Sequence, residues 1–394
     1  MNTLPKINNF NLIRLFFAVV CMYHHARFMN MVEPYNGFMF VMMGLFPPVP
    51  VFFAISGFLI TKSYIENGGN VKHYMVNRVL RLYPPLWVNL SVALVLLFIN
   101  GGVKSGSVFS IKFMAWNFFQ FLLGVRCFFA NTLFDLTTYC RLFPSEYLWT
   151  VPIELGFYVL VPMIYYSLAR EKKNSKWFYM VLAGFVVSMY FAVLNSQFSE
   201  QIIQKILLDD SYVASNILKL STLPYLWFFL FSSFVYIKWN RVEKYLKNKF
   251  WIWMLIYIVF RVLRLDHKGL NFMLFITDWT DVVSYLLMTL CVLSFAYSFP
   301  SLRFLNRKVD LSYGIYLNHM QIITLVLYLG FKQSHYFLGL VFAGTFAVAM
   351  ASWILIEKPA FKLKDSWLGD TRRTSNVPPD EMFLVGPEES GFAR

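Results

Sequence analysis

Long hydrophobic stretches, each poor in charge, alternate along the chain with segments that carry most of the charged side chains. A helix needs about 20 residues to cross the hydrocarbon core of a bilayer, and ten stretches approach that length. They cover approximately residues 12–31, 38–61, 82–99, 147–168, 177–194, 223–237, 250–264, 279–299, 311–331 and 336–356. The fifth and tenth contain no charged residue, whereas the sixth and seventh are short. The pattern predicts an all-α polytopic membrane protein, a helical bundle of about ten transmembrane helices.

The composition excludes several other classes of protein. Of the 394 residues, 58% are hydrophobic and 14% are charged, against about 25% charged in ordinary soluble proteins. A soluble globule with so few charges would expose large apolar patches to water. The hydrophobic content is too high for a disordered chain, and four Cys residues are too few for a disulfide scaffold.

The Lys and Arg residues divide unequally between the two sides of the predicted bundle. If the N-terminus is cytoplasmic, 24 of the 35 fall in the inner segments and 11 remain elsewhere. Because cytoplasmic loops retain Lys and Arg, we expect both termini in the cytoplasm and a multi-pass protein of a bacterial inner membrane. The formal net charge of +14 then reflects topology. We expect no nucleic-acid partner, since the basic residues lie between apolar runs.

The two ends of the chain allow separate predictions. Lys6 and Arg14 precede an apolar run, which could also be a signal peptide. Tyr, His and Arg follow that run instead of the small residues of a cleavage site, so we expect the first span to be retained. Residues 365–394 are rich in Pro, Gly, Ser and acidic residues. They predict a disordered cytoplasmic tail after a transmembrane domain of residues 1–364.

The longest predicted outer loop, residues 100–146, is rich in aromatic residues. It could dip back into the membrane or form a lid. Cys127 and Cys140 lie in this loop and could form a disulfide or remain free thiols. Cys21 and Cys291 lie within spans, where packing explains them.

Ionisable residues inside apolar spans are candidates for function because burying them in a bilayer is costly. Arg14 and His25 are eleven residues apart, so on a helix they share nearly one face, separated by about 16 Å of rise. His24 points elsewhere. One face of the first span therefore carries a cation near the cytoplasm and an imidazole deeper in the membrane. The simpler alternative for His25 is a histidine at the outer membrane interface.

Two further ionisable residues lie within later spans. Glu154 lies one to two turns inside the fourth stretch, where a carboxylate would be protonated or paired. A structural pair with an arginine is the alternative to a catalytic role. His319 lies in the ninth stretch, where a hydrogen-bonded packing role competes with catalysis.

A pair of arginines stands at the predicted inner membrane surface. Arg78 and Arg81 are spaced i, i+3 and face the same way on a helix. Paired guanidinium groups bind phosphates, although anchoring to lipid headgroups would need the same residues. In the second span three prolines, at positions 47, 48 and 50, precede Ser56 and Gly57. Prolines at membrane depth are tolerated where the backbone lines a cavity, so we expect a site beside Ser56.

These residues belong to six motifs that follow one another along the chain. The motifs are Arg14 followed by ten residues and His25, then Phe52–Leu59, Asn77–Pro84, Leu148–Glu154, Ser312–His319 and Ser352–Pro359. In their order and spacing they resemble the acyltransferase-3 family of integral membrane acyltransferases, from about residue 6 to 364. The resemblance implies a stand-alone membrane O-acyltransferase, without the extracytoplasmic esterase-like domain of some relatives. It implies transfer of an acyl group, usually acetyl from cytoplasmic acetyl-CoA, to a sugar hydroxyl of a surface or secreted glycan.

The resemblance also suggests a role for each candidate residue. Arg78 and Arg81 would bind the phosphates of acetyl-CoA, and Arg14 would lie along the donor's entry path and assist catalysis. His25 would act as general base or carry the acyl group itself. Glu154 would orient His25, hold the acceptor or neutralise Arg14. We expect four other residues to contact substrate, namely Ser56, Tyr147, Trp149 and His319.

The expected partners are a glycan or lipid-linked sugar acceptor, an acyl-CoA donor and membrane lipids, with no metal. The competing function is a transporter or flippase, which also uses buried ions and proline-broken helices. A non-catalytic partner in polysaccharide export is a third possibility. The acceptor sugar, the acyl group and the oligomeric state stay open at this level.

Overall fold

The computed structural model of the chain describes residues 8–30, 43–99, 111–124, 146–170, 182–190, 222–268, 279–299 and 309–368. These ranges contain helices and no strand. The helices are α1 (Phe10–Met29), α2 (Pro48–Glu66), α3 (Val71–Ile99), α4 (Ile111–Leu123), α5 (Thr150–Arg170), α6 (182–190), α7 (Leu226–Ile237), α8 (Trp239–Leu246), α9 (Phe250–Lys268), α10 (Trp279–Ala296), α11 (Ser312–Tyr328), α12 (Phe337–Ser352) and α13 (Lys358–Leu368). A 3-10 turn, Glu146–Trp149, leads into α5, and a π-helical segment, Trp353–Glu357, joins α12 to α13.

Five segments are long and apolar enough to cross a membrane. They are Phe10–Met29, Pro48–Glu66, Tyr147–Tyr165, Trp279–Ala296 and Phe337–Lys364. Two shorter apolar segments, Leu223–Ile237 and Phe250–Leu263, coincide with the two short predicted spans. The predicted all-α membrane protein is therefore confirmed. The count of ten spans and the cytoplasmic position of both termini stay predictions.

The prolines of the second predicted span lie at the start of α2, after a break at residues 46 and 47 that separates α2 from helical residues 43–45. Pro47 is extended, with φ −61° and ψ 131°, and Pro48 and Pro50 occupy the first turn of α2. Proline suits a first turn because the backbone N–H that it lacks would have no partner there. Helix α2 begins at Pro48 and continues to Glu66, and residues 38–42 of the predicted span lie outside the described residues.

Helix α2 packs very closely against α7. A Cβ atom on Gly57 would lie 2.7 Å from the backbone oxygen of Phe229 and 2.8 Å from Cβ of Ser232. Beside this contact, Thr61 donates a hydrogen bond to Ser233 (2.8 Å), and Ser233 donates to the carbonyl of Gly57 (3.1 Å). The glycine lets the two backbones approach, and the buried hydroxyls satisfy one another.

Helices α1 and α11 lie side by side and run in the same direction. Near the start of α1, Arg14 contacts Asp310, which lies just before α11. Further along both helices, His25 of α1 contacts His319 of α11. On its other side α11 packs on α12, where a Cβ on Gly314 would lie 3.1 Å from Cα of Ala349. This arrangement aligns the ionisable face of α1 with α11.

The predicted outer loop contains helix α4, which packs against α3. The Tyr83 hydroxyl donates a hydrogen bond to the carbonyl of Leu122 (2.8 Å), and the Trp87 indole donates to that of Phe121 (2.9 Å). Cys127 and Cys140 lie outside the described residues, as does the chain after Leu368. The predictions of a disulfide and of a disordered tail are therefore unchanged.

Candidate active site

A cavity opens between α1, α2, α3, α5 and α11, and its two sides differ in chemistry. One side is polar and is formed by Arg14, Arg78, Arg81, Ser312, Glu154 and Tyr158, with Thr150 and Ser56 nearby. The other side is apolar and is formed mainly by α2 residues, namely Val49, Phe52, Phe53, Ile55, Leu59 and Ile60. Such a cavity suits a ligand that is anionic at one end and apolar elsewhere.

Arg14 and Arg81 share one carboxylate. Oδ2 of Asp310 lies 2.6 Å from Nη1 of Arg14 and 3.1 Å from Nη2 of Arg81. The other oxygen, Oδ1, accepts hydrogen bonds from the backbone N–H and the hydroxyl of Ser312. Burial alone would raise the pKa of Asp310, but the two guanidinium groups outweigh it and hold this pKa below its usual value. The carboxylate is therefore ionised and fixes both arginines.

Arg78 is held differently. Its guanidinium lies 5.6 Å from the ring centre of Tyr74 and 5.5 Å from that of Tyr158, within the range of cation–π interactions. Within the described ranges it forms no ion pair, and its Nε has no hydrogen-bond partner. Asp310 pairs with Arg14 and Arg81, Glu154 lines the same cavity, and buried Glu357 is close enough to interact electrostatically with Arg81. Because Arg78 has no ion pair among the described residues, its guanidinium can bind an anion.

Glu154 lines the cavity but is tied to its own helix. Its Oε1 accepts a hydrogen bond of 2.5 Å from the Tyr158 hydroxyl, one turn further along α5. No hydrogen bond joins Glu154 to His25 among the described residues, and the ion pair of Arg14 is made with Asp310. Glu154 is nevertheless close enough to Arg14 to interact with it electrostatically, and the three roles predicted for Glu154 stay predictions.

His25 is paired with His319. Nδ1 of His25 lies 2.7 Å from Nε2 of His319, and Nδ1 of His319 lies 3.1 Å from the carbonyl oxygen of Ile315. The ring planes differ by 6° and the ring centres are 5.0 Å apart. That separation equals the hydrogen bond plus the two ring radii, so the rings lie edge to edge in a common plane and are not stacked face to face. His319 is fully buried, whereas His25 is partly exposed.

Tyr316 links the lining of the cavity to the histidine pair. Tyr316 lines the cavity, and its ring centre is 6.0 Å from that of His319 and 6.1 Å from that of Phe52. The Tyr316 hydroxyl donates to the carbonyl of Tyr147 (2.6 Å) and lies 2.7 Å from the hydroxyl of Thr150. Neither His25 nor His319 is among the residues that line the cavity, and Tyr316 contacts both the cavity and His319.

The structure separates the four predicted substrate-contacting residues. Ser56 lines the arginine cavity. Tyr147 lies against the histidine pair, with its ring centre 5.0 Å from that of His319, but its hydroxyl already bonds to the carbonyl of Leu317. Trp149 does not line the arginine cavity, but it packs against Phe53, which does, and against Tyr225. His319 contacts His25.

Metal-ligand atoms also converge at the histidine pair. Sγ of Cys21, Nδ1 of His25 and Nε2 of His319 lie within 4.8 Å of one another. Two nitrogens on a tetrahedral zinc ion would lie about 3.3 Å apart, whereas these two are 2.7 Å apart. The observed spacing is that of a hydrogen bond.

Asp310 is the residue that the sequence analysis missed. It stands immediately before the ninth predicted span, in the sequence Asp310-Leu-Ser312. An acidic residue there could have been recognised as a helix-capping group and as a partner for an arginine in another span.

Apolar helices long enough to span a membrane, a histidine pair and a cavity lined by three arginines thus lie in one helical bundle. The acyltransferase domain model of the acyltransferase-3 family matches residues 7–357, so the chain belongs to this family of membrane acyltransferases. The chain is 30% identical over 368 residues to Nodulation protein 10 of Rhizobium leguminosarum bv. viciae, covering 91% of this chain and 94% of that protein. No solved structure matches significantly.

Proposed function

We propose that this acyltransferase moves an acyl group, most simply acetyl, from a coenzyme A thioester in the cytoplasm to a sugar hydroxyl of a surface or secreted glycan. The protein would do so in a bacterial inner membrane. The observation that carries the proposal is the arrangement on α1, where Arg14 faces the cationic cavity and His25 faces His319. A cation that can bind an anionic donor and an imidazole that can act as a base therefore lie on one face of one helix.

The arginine cavity supports a donor that carries phosphates. Asp310 orients Arg14 and Arg81, while Arg78 keeps hydrogen-bonding capacity for a ligand. Guanidinium groups bind phosphate through paired, charge-assisted hydrogen bonds. The apolar α2 side of the cavity would receive the uncharged arm of the donor. Arg14 and His25 are about 16 Å apart along α1, and an extended pantetheine arm can cover that distance.

The chemistry assigned to His25 is general-base catalysis. Its imidazole takes the proton of the sugar hydroxyl, and the oxygen attacks the thioester carbonyl carbon. The carbon–sulfur bond then breaks, and the thiolate of coenzyme A takes the proton from the imidazolium. In the alternative, His25 attacks the thioester carbonyl carbon and the carbon–sulfur bond breaks, which releases the thiolate. The sugar oxygen then displaces the imidazole from the acyl group, and the proton of the sugar hydroxyl passes to the thiolate. Both routes give an O-acyl sugar and free coenzyme A.

The test uses inverted membrane vesicles that contain the protein, radiolabelled acetyl-CoA and the glycan fraction of the host. We expect label in the glycan and an equal release of free thiol. His25→Ala should abolish both, while His24→Ala, a change at the adjacent histidine, should retain them. Normal transfer by well-inserted His25→Ala would overturn the assignment of His25. Movement of glycan across the membrane without thiol release would instead identify a transporter.

A further inference from the structure

Two hydrogen bonds in series end at His25. The first joins Nδ1 of His319 to the carbonyl oxygen of Ile315, one turn earlier on α11 (3.1 Å). The second joins Nε2 of His319 to Nδ1 of His25 on α1 (2.7 Å). Because a carbonyl oxygen only accepts, Nδ1 of His319 is the donor and carries the hydrogen.

The direction of the second bond follows from the first. In a neutral imidazole one nitrogen donates and the other accepts, so Nε2 of His319 presents a lone pair. Nδ1 of His25 must then carry the hydrogen and donate it. The lone pair of neutral His25 is therefore on Nε2, the nitrogen that has no hydrogen-bond partner within the described residues.

The donor and the acceptor of this second hydrogen bond are well aligned. Both rings lie in one plane, with the two nitrogens on the line between the ring centres. The N–H of His25 thus points straight at the lone pair of His319, which is the preferred alignment. His319 cannot turn away easily, since it is fully buried and its ring meets that of Tyr147 at 5.0 Å.

A competing acceptor for the same hydrogen is weaker. Sγ of Cys21 lies 3.9 Å from Nδ1 of His25, one turn earlier on α1. Sulfur is a weak acceptor and this distance is long, so it does not substitute for the imidazole.

We propose that His319 is a positioning residue that fixes His25 in its Nδ1–H form and so leaves Nε2 of His25 free to take the proton of the acceptor hydroxyl. This inference rests on the proposed function. When Nε2 gains that proton, His25 becomes an imidazolium and keeps its Nδ1–H bond to neutral His319. When the thiolate leaves, the same proton passes from Nε2 to sulfur, and the pair returns to its starting state.

The kinetic test compares two replacements at one position. His319→Leu removes the acceptor but retains an apolar side chain, whereas His319→Gln places an amide oxygen where Nε2 stood. We expect His319→Leu to lower kcat about 10- to 100-fold, as loss of a partner that orients a histidine does, with KM for acetyl-CoA and for the glycan changed less than about 2-fold. His319→Gln should recover most of the lost kcat. Insertion and thermal unfolding in detergent establish that both variants are folded.

Nuclear magnetic resonance can locate the hydrogen on the His25 ring without an enzyme assay. Protein labelled with 15N at histidine is reconstituted in bilayers, and His25 is assigned by its absence in His25→Ala. We expect the wild type to carry the hydrogen on Nδ1 of His25, and His319→Leu to shift hydrogen to Nε2. A raised KM for the glycan with unchanged kcat would overturn the proposal in favour of substrate contact by His319. Hydrogen on Nε2 of wild-type His25, or no recovery in folded His319→Gln, would also overturn it.

The two proposals fail in different ways. If acyl transfer itself is absent from the wild type, the proposed function fails while the nuclear magnetic resonance result still reports the hydrogen position. If His25→Ala abolishes transfer but His319→Leu leaves kcat unchanged, the role of His319 fails and the proposed function stands.

Discussion

The three arginines of the cavity are not equivalent. Arg14 and Arg81 are fixed by Asp310, whereas Arg78 is held by aromatic rings that leave its N–H groups available. Fixing two cations with one anion keeps them together at the cavity without cancelling the local positive charge. Arg78 therefore has the most hydrogen-bonding capacity to offer a phosphate.

Replacing Arg78 by Gln should weaken binding of the donor and spare the chemical step. A hydrogen bond to a charged group contributes about 1.5–3 kcal/mol, so we expect KM for acetyl-CoA to rise about 10- to 100-fold. The value of kcat at saturating donor should stay within a few-fold of wild type. Arg241→Gln, which removes an exposed cation of α8, is the matched control. An unchanged KM for acetyl-CoA would show that Arg78 does not bind the donor and would favour anchoring to lipid headgroups instead.

Replacing Asp310 by Asn should destabilise the protein in a pH-dependent way. The two arginines would lose their shared anion, at a cost of about 1–3 kcal/mol for partly buried groups. Because the folded pKa of Asp310 is lowered, its contribution is complete above about pH 4, the unfolded value, and is lost as the pH falls through the folded value. Thermal unfolding at several pH values measures the difference. A difference that grows below pH 4 would contradict the ion-pair account.

For individual residues, the sequence predicted which face of a helix carries a side chain, but not which residue that side chain contacts. The spacing of Arg14 and His25 follows from the helical period alone, and the structure places both residues against the α11 segment. Their partners lie 296 and 294 residues away in sequence, Asp310 and His319 respectively. Contacts over that separation depend on which helices pack together, which local periodicity does not encode.

Among the elements, α2 is held by a close approach that requires glycine. At Gly57 a Cβ atom would meet backbone of α7, which cannot move as a side chain could. Pro47 lies just before this helix, and Pro48 and Pro50 lie in its first turn. In the first turn of α2 they favour its start.

Two glycine replacements test this packing. Gly57→Ala should destabilise the protein by about 1–3 kcal/mol, because the new methyl group overlaps Phe229 and Ser232. Gly339→Ala in α12 has open space around its Cβ and should be neutral or stabilising by up to about 1 kcal/mol. Unfolding midpoints in one detergent measure both. Equal midpoints for the two variants would contradict the close approach of α2 and α7.

For the whole molecule, the parallel run of α1 and α11 agrees with the predicted topology, in which the first and ninth spans cross the membrane in the same direction. With the predicted orientation, the Arg14 end of α1 would be its cytoplasmic end, and the arginine cavity would lie toward that side of the membrane. The pattern of hydrophobic segments was enough to predict an all-α membrane protein, since an apolar stretch that spans a bilayer must satisfy its own backbone hydrogen bonds. The number of spans and their orientation stay predictions.

Site-directed labelling tests the topology. In a background with the four native Cys residues replaced by Ser, Lys247→Cys after α8 should react with an impermeant maleimide only after permeabilisation. His335→Cys, between α11 and α12, should react in intact cells because the predicted outer loop carries it. Reaction of Lys247→Cys from outside would reverse the predicted orientation.

The central claim is that donor binding and chemistry reside on separate groups, Arg78 and His25. Acetyl-CoA binding at equilibrium and acyl transfer in a single turnover can be measured on the same preparations of wild type, Arg78→Gln and His25→Ala. We expect His25→Ala to bind acetyl-CoA as the wild type does but to transfer the acyl group at least about 100-fold more slowly. We expect Arg78→Gln to bind acetyl-CoA more weakly but, at saturating acetyl-CoA, to transfer the acyl group at nearly the wild-type rate. Wild-type transfer by His25→Ala, or loss of acetyl-CoA binding in folded His25→Ala, would contradict it.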